Sequence, residues 1–306
     1  MYFLGGCCLR VVTYFLFSVG VSGVSMVSVS VLSPVGTSLF RNFSSSSRFE
    51  SVAVKYGVAE WVSMPLSDSR NAYPRGEVCL YANDRELVNS LLEFISLNPR
   101  GSCAELAGVL EIYGDLKTRY GRVDRVAVTL YSTSSCTSYL ASRVIAEYLE
   151  SQSVEVVVRV VESIRSEEEF DEGLASLVDA VAEDVSEYTK RGYRIYVNAT
   201  PGFKPEATFL VIAAILLGVK SIYYIHEAFK KVVKLPTIPV QVEESYLRLL
   251  KELVREGEVE LTHAYSIMGL TEDYIRELED RYLAYVDREV LKPRKWVIKL
   301  VEKLVR

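Results

Sequence analysis

In "YVNATPGFKPEATFLVIAAILLG", residues 196–218, a lysine stands where a β-branched strand gives way to an apolar helix. Tyr196 and Val197 close the strand, Asn198 to Lys204 read as a turn, and the remainder has the composition of a buried helix. A cation in a first helical turn opposes the helix dipole, so a purely structural reason for Lys204 is weak and an anion is the partner that would hold it there. Two other strand ends carry related chemistry. In "LSPVGTSLFRN", Ser33 ends a strand, Gly36 permits a tight turn, and Thr37 and Ser38 offer hydroxyls at a helix start. In "LYSTSSCTS", the run Ser132, Thr133, Ser134 and Ser135 ends another strand. Taken singly, such serines and threonines are ordinary caps, and Phe203 is either core filler or a ring on which a base stacks. Neither G-x-G-x-x-G after the first strand nor G-x-x-x-x-G-K-[ST] occurs, so neither a dinucleotide pocket nor a P-loop triphosphate pocket is expected.

The elements that must position these groups alternate along the chain. "VSVSVLS" is a strand, "ELVNSLLEFISL" a helix, and "SCAELAGVLEIYGDLKTRYG" a helix opening on a Ser102/Glu105 capping box. The strand "RVAVTLYS", the helix "SYLASRVIAEYLES" and the strand "VEVVVRVV" follow. Next come a long acidic amphipathic helix from Ser166 to Gly192, whose charges read as a solvated face, the strand "YRIYVNAT", the helix from Pro205 and the strand "KSIYYIHEAF". Such alternation predicts right-handed crossovers and a parallel sheet covered on both faces, with anion sites at the carboxyl ends of the strands. The expected class is α/β, a Rossmann-like domain over residues 26–235. A proline-bearing linker, 236–244, separates it from residues 245–306, whose three helical segments and basic end read as a small winged helix-turn-helix domain.

Composition narrows the function. The chain has 306 residues, 49% of them hydrophobic, enough for one large core and a smaller one. Its net charge of −5 argues against non-specific coating of nucleic acid, so any polyanion site is local. The five cysteines show no CxxC pair and are odd in number, which favours a reducing cytoplasm over a disulfide scaffold. The two histidines, His226 and His263, are far apart; this argues against a histidine metal cage and a two-histidine nuclease, while a carboxylate-held ion stays open. His226 reads as a core residue at a strand end and His263 as an ordinary helix residue. Residues 1–25 are apolar but lack a basic n-region and a cleavage site, and Arg10 interrupts them as a span. They read as an over-called start or an apolar extension, with the fold beginning near Met26.

The strand end "SPVGTSLFRN" and the later "NATPGFKPE", joined by an alternating domain and followed by a winged helix, resemble the CRISPR-associated Rossmann-fold (CARF) proteins, in particular the stand-alone archaeal ring nucleases. The resemblance spans about residues 27–300. It implies a homodimer that binds cyclic tetra-adenylate across its twofold axis and linearises it without metal or cofactor, switching off type III CRISPR signalling. By position it implies Ser33 and Lys204 as catalytic residues, and Gly36, Thr37, Ser38, Asn198, Thr200, Gly202 and Phe203 as ligand-lining ones. Ser132 and Thr133 are assigned to phosphate or ribose contacts. Pro201 departs from the family's Gly-Gly and removes a donor. Such a protein is cytoplasmic, has no membrane partner and is not expected to bind DNA.

The chemistry needs little machinery. RNA carries its own nucleophile, the ribose 2′-OH, and holding it in line with the neighbouring phosphate is worth up to about 7–11 kcal/mol in ideal intramolecular cases. An ammonium such as that of Lys204 stabilises charge on the phosphoryl oxygens. Ser33 reads as a positioning group rather than a covalent nucleophile, since no histidine base accompanies it. The products would be linear adenylates ending in a 2′,3′-cyclic phosphate. One rival is a non-catalytic cyclic-oligoadenylate sensor whose winged helix binds DNA; against it, residues 245–306 hold 12 basic and 12 acidic residues and the segment "TEDYIRELEDRYLAYV" is acidic. A second rival, an effector ribonuclease, lacks its Arg-x4-6-His cluster, since Arg255 precedes His263 by eight positions.

Overall fold

A computed structural model describes residues 26–162, 167–226 and 231–304. Residues 1–25 lie outside the described residues, as does the side chain of His226, so the readings of both stand only as expectations. The chain opens with β1 (Val27–Pro34) and then runs through α1 (Ser38–Ser44), α2 (Glu50–Tyr56), α3 (Val58–Trp61), α4 (Glu77–Leu80), α5 (Arg85–Leu97), α6 (Pro99–Ser102) and α7 (Ala104–Tyr120). It continues through β2 (Val123–Thr133), α8 (Cys136–Ser151), β3 (Glu155–Val161), α9 (Glu167–Lys190), β4 (Arg194–Asn198), α10 (Lys204–Leu216), β5 (Ile222–His226) and β6 (Lys231–Leu235).

Six strands form one sheet in the order β3-β2-β1-β4-β5-β6. Every pairing from β3 to β5 is parallel; β6, at the end of the expected domain, adds an antiparallel edge strand that the sequence pattern does not announce. Side chains alternate across the sheet. Val29, Val31, Val128 and Leu130 enter the core under α5, α7 and α8, while Leu32, Ala127, Tyr131 and Val197 enter the opposite core under α9 and α10. Each fully buried aliphatic side chain contributes roughly 1.5–3 kcal/mol, so both faces are held by this two-residue period. The expected Rossmann-like arrangement is what forms. Strand order reverses beside β1, whose neighbours β2 and β4 lead to helices on opposite faces, and a crevice opens at their carboxyl ends.

Three sequence expectations change. Cys79 of α4 and Cys136 at the start of α8 form a disulfide across 57 positions, while Cys103 is buried and free. The pairing follows from α4 packing on α8, which no spacing announces, and the cysteine count therefore says nothing of compartment. Among the described residues no helix is long and apolar enough to cross a membrane. The acidic helix α9 is not simply a solvated face. Its Asp184 is buried, accepting from the Tyr131 hydroxyl at 2.8 Å and the Arg159 guanidinium at 2.8 Å. The Ser102/Glu105 capping box is also absent: α7 begins after Cys103 without a side-chain cap, and Glu105 is engaged elsewhere.

Residues beyond 243 form α11 (Glu244–Glu256), β7 (Val259–Glu260), α12 (Leu261–Ser266), α13 (Glu272–Asp280), β8 (Ala284–Asp287), β9 (Val290–Pro293) and α14 (Lys295–Leu304), with a small antiparallel sheet in the order β7-β9-β8. This unit docks through α14. Val297, Leu300 and Val301 pack on Leu174, Ala175 and Val178 of α9, and the lysines of α14 meet its acids: Lys295 with Glu172, Lys303 and Lys299 with Asp179 at 3.0 and 3.7 Å. The basic tail is thus matched to the acidic helix. Replacing Asp184 by alanine should remove the hydrogen bonds of Arg159 and the Tyr131 hydroxyl beneath α9, leaving Arg159 its longer ion pair with Glu183, and lower unfolding free energy in urea by about 2–3 kcal/mol; an unchanged denaturation midpoint would show that the cluster does not hold α9 to the sheet.

Candidate functional site

The crevice beside β1 is walled by two turns that nearly touch. Gly202 adopts φ +92°, open to glycine and strained for other residues, and a Cβ there would lie 2.7 Å from Cβ of Pro34. From the other side, a Cβ on Gly36 would reach 3.3 Å from the Gly202 nitrogen. The β1–α1 turn and the β4–α10 turn therefore close on each other because Gly202 lacks a side chain, and Gly36 leaves the approach uncrowded from the other side. Beneath them lies a buried amide. Asn198 donates to Ser33 Oγ at 3.1 Å and to the carbonyl of Glu105 at 3.3 Å, while its Oδ1 accepts from the Thr200 N–H at 3.4 Å. One side chain thereby ties β1, β4 and α7. Gly108 of α7 makes room for it, since a Cβ there would fall 2.2 Å from Asn198 Oδ1.

Glu105 fixes the first turn. Fully buried, it accepts from the Gly36 N–H at 2.7 Å and from the Ser38 hydroxyl at 3.2 Å, and Ser38 Oγ accepts in turn from the Ala104 N–H at 3.0 Å. Burial pushes its carboxyl above the usual range, while these donors pull the other way. On the other flank, Ser135 caps α8 by accepting from the Ser138 N–H, and Ser138 Oγ donates to the Val35 carbonyl at 3.1 Å. Buried Asn71 accepts from the Thr137 N–H at 2.9 Å, which anchors the segment before α4 to the same end of α8.

Between these walls is a cleft of about 560 Å³. Gly36, Thr37, Thr133, Gly202 and Phe203 line it, as expected from the sequence. Phe203 is 54% exposed, a free ring face at the rim rather than core filler. Lys204 is exposed at the first position of α10, directly after Phe203, and among the described residues no carboxylate pairs with it. That helix has no side-chain cap, so the N–H groups of its opening turn have no side-chain acceptor, although Pro205 contributes none.

Other expected residues stand behind the wall. Ser33 is fully enclosed, its hydroxyl held between the Pro34 carbonyl and Asn198. Ser132 is equally enclosed, donating to the Thr133 carbonyl and Ser138. Asn198 is fully buried, Thr200 Oγ1 accepts from the Ile225 N–H at 2.8 Å, and Ser38 is taken by Glu105. These are scaffold contacts, because strand-end hydroxyls in a sheet buried on both faces satisfy backbone groups first. Sequence reasoning missed the segment from Val62 to Ser67, which forms the outer wall, and missed Glu206. Glu206 lines the cleft, is 5% exposed, and its Oε1 has no hydrogen-bond partner; burial pushes its carboxyl up to about 7. A glutamate two residues after an exposed lysine was visible in "FKPE" and was the available signal.

The arrangement is that of a Rossmann-like protein with its cleft at the point where strand order reverses. Residues 100–238 match the family model described as CRISPR-associated protein (Cas_APE2256), which bears out the resemblance to CRISPR-associated proteins over that stretch. The match takes in Glu105, Gly108 and the turn from Asn198 to Glu206. It spans a little under half of the chain and begins after the Ser33–Ser38 turn. Two solved structures are similar at low identity: protein VC1899 from Vibrio cholerae, at 11% identity over 58% of this chain and 59% of that one with a TM-score of 0.29, and Can2 from Sulfobacillus thermosulfidooxidans in complex with cyclic tetra-adenylate, at 10% over 58% and 56% with a TM-score of 0.25. The chain thus matches under two thirds of the length of either, and at these scores neither carries weight for fold or ligand.

The unpaired carboxyl has a measurable consequence. A carboxylic acid whose folded-state pKa is raised stabilises the fold below its unfolded value and loses that contribution as pH rises through about 7. Ionised Glu206 should therefore cost the folded protein roughly 3 kcal/mol at alkaline pH. Glu206→Gln should melt several degrees higher relative to wild type at about pH 8.5 than at about pH 5; a Tm difference independent of pH would contradict the burial of this charge.

Proposed function

We propose that the protein is a ring nuclease that binds cyclic tetra-adenylate at a homodimer interface and cleaves it by 2′-OH attack. The observation that carries this reading is the exposed, unpaired Lys204 on the uncapped first turn of α10, beside Phe203 and two glycine turns closed against each other at the mouth of the sheet. An ammonium, open helix N–H groups and an aromatic face are the donors that a phosphodiester and its base require. The CRISPR-associated family match over the same turn supports a substrate from that signalling system. Lys204 stabilises charge on the scissile phosphate. Ser33 acts from behind, keeping Asn198 and hence the Lys204 turn in register, and Gly36, Thr37, Thr133, Gly202 and Phe203 contact the ligand.

Size supports two copies. Single-ligand pockets run about 300–1,000 Å³, and one cleft of about 560 Å³ suits part of a tetranucleotide ring rather than all of it. A C2 pair would set two clefts around one ring. We read residues 245–306 as a winged helix-turn-helix-like unit whose role is structural. Most of its described basic groups, Lys251 and Arg288 apart, are engaged within the protein: Lys292 pairs with Glu258 and Asp287 at 3.0 and 3.5 Å, Arg294 lies over the Tyr282 ring at 3.9 Å, and the lysines of α14 face α9. That leaves little for DNA phosphate, which disfavours the sensor reading.

Incubation with cyclic tetra-adenylate in EDTA should give linear adenylates with 2′,3′-cyclic phosphate ends. Lys204→Ala should slow cleavage by roughly 10²–10³-fold with the ring still bound, the loss typical of one preorganised charge-stabilising donor. Tight binding without turnover by wild type would instead make the protein a sensor.

A further inference from the structure

Three carboxylates are buried among the described residues, and two of them are saturated. Glu105 is held by Gly36 and Ser38, and Asp184 by Tyr131 and Arg159. The third, Glu206, lines the cleft with Oε1 buried and unpartnered. A buried acceptor without a donor costs the fold stability, and among the groups around this cleft it is the one such atom left open. It sits one helical step inside the Lys204 turn, in the same first turn of α10.

We propose that Glu206 is the general base of the cleavage, a proposal that rests on the ring-nuclease reading above. As O2′ bonds to phosphorus and the P–O5′ bond breaks, the Glu206 carboxylate takes the 2′-OH proton. The leaving 5′ oxygen is protonated by water, and the hydroxide so formed is neutralised by the proton on Glu206, which restores the carboxylate. Among the described residues, the cleft lining holds no other carboxylate and no imidazole for the task. The β1–α1 turn, the segment from Val62 to Ser67 and the start of α8 face it with apolar, glycine and hydroxyl groups, and Glu105 lies behind Gly36 with both oxygens engaged. On the far side, α9 and α14 meet α10 through Phe209 and Ala213, which are apolar, and Lys204 is the cation on Glu206's own helix. Burial alone accounts for the raised carboxyl, which at about 7 is matched to proton transfer at neutral pH.

The test is single-turnover cleavage of cyclic tetra-adenylate by the full chain from about pH 5 to about pH 9, with ring binding measured in parallel. Wild-type rate should climb about tenfold per pH unit to near 7 and then level. Glu206→Gln should bind the ring as wild type does, cleave about 10²–10⁴-fold more slowly and lose the climb, while Glu206→Asp should keep part of the rate and the sloping profile. Wild-type turnover together with an unchanged rate and profile in Glu206→Gln overturns the base assignment and leaves the ring-nuclease reading standing. Loss of ring binding in Glu206→Gln also overturns it, making Glu206 a ligand contact. Absence of wild-type turnover at every pH brings down both.

Discussion

Everything at the mouth of the sheet depends on the side-chain amide of Asn198. Donating to Ser33 and to the Glu105 carbonyl and accepting from the Thr200 N–H, it converts three separate elements into one rigid floor. Buried amides of this kind are costly when one partner is missing, so the network specifies a single arrangement of β1, β4 and α7 rather than several similar ones. Gly108 is the counterpart that makes the amide fit. The two glycine turns then rest on this floor, with Glu206 of α10 lining the cleft and Lys204 exposed at the start of the same helix.

The site is thereby divided into layers with opposite habits. Hydroxyls and amides nearest the strands are saturated by backbone and by one another, as a sheet covered on both faces demands. Among the described residues lining the cleft, the buried group without a partner belongs to the outer layer, at the start of α10. A lysine left unpaired and a carboxylate left unsatisfied within three residues are each unfavourable to the fold, and such costs are concentrated where a ligand will later satisfy them.

Much of this was legible from the sequence, and the boundaries of what was not are physical. The five-strand alternation from Val27 to His226 shows in the hydrophobic pattern because its central strands are buried on both faces, whereas the half-exposed edge strand β6 carries no such signal. The turn at 198–204 shows because a lysine at a helix start and a glycine before it break local rules. Glu105 was misread because its spacing from Ser102 mimics a capping box, whereas the carboxylate reaches 69 positions back to Gly36. Burial separates Ser33 and Ser132 from the cleft, and no local pattern encodes burial at a strand end. The segment that walls the cleft from Val62 to Ser67, and the Cys79–Cys136 link beside it, depend on long-range packing that neither periodicity nor cysteine count can reveal. The acidic face of α9 was taken for a solvated one because its partner, α14, lies at the other end of the chain.

On the proposed function, Lys204 faces a phosphodiester rather than solvent. The most direct measurement is the salt dependence of cyclic tetra-adenylate affinity in wild type and Lys204→Ala. Each lysine that neutralises a phosphate contributes close to one unit to the slope of log affinity against log salt, about 0.7 for single strands. The slope should be shallower in Lys204→Ala by that amount per engaged lysine; identical slopes in the two proteins would mean that Lys204 does not meet a phosphate.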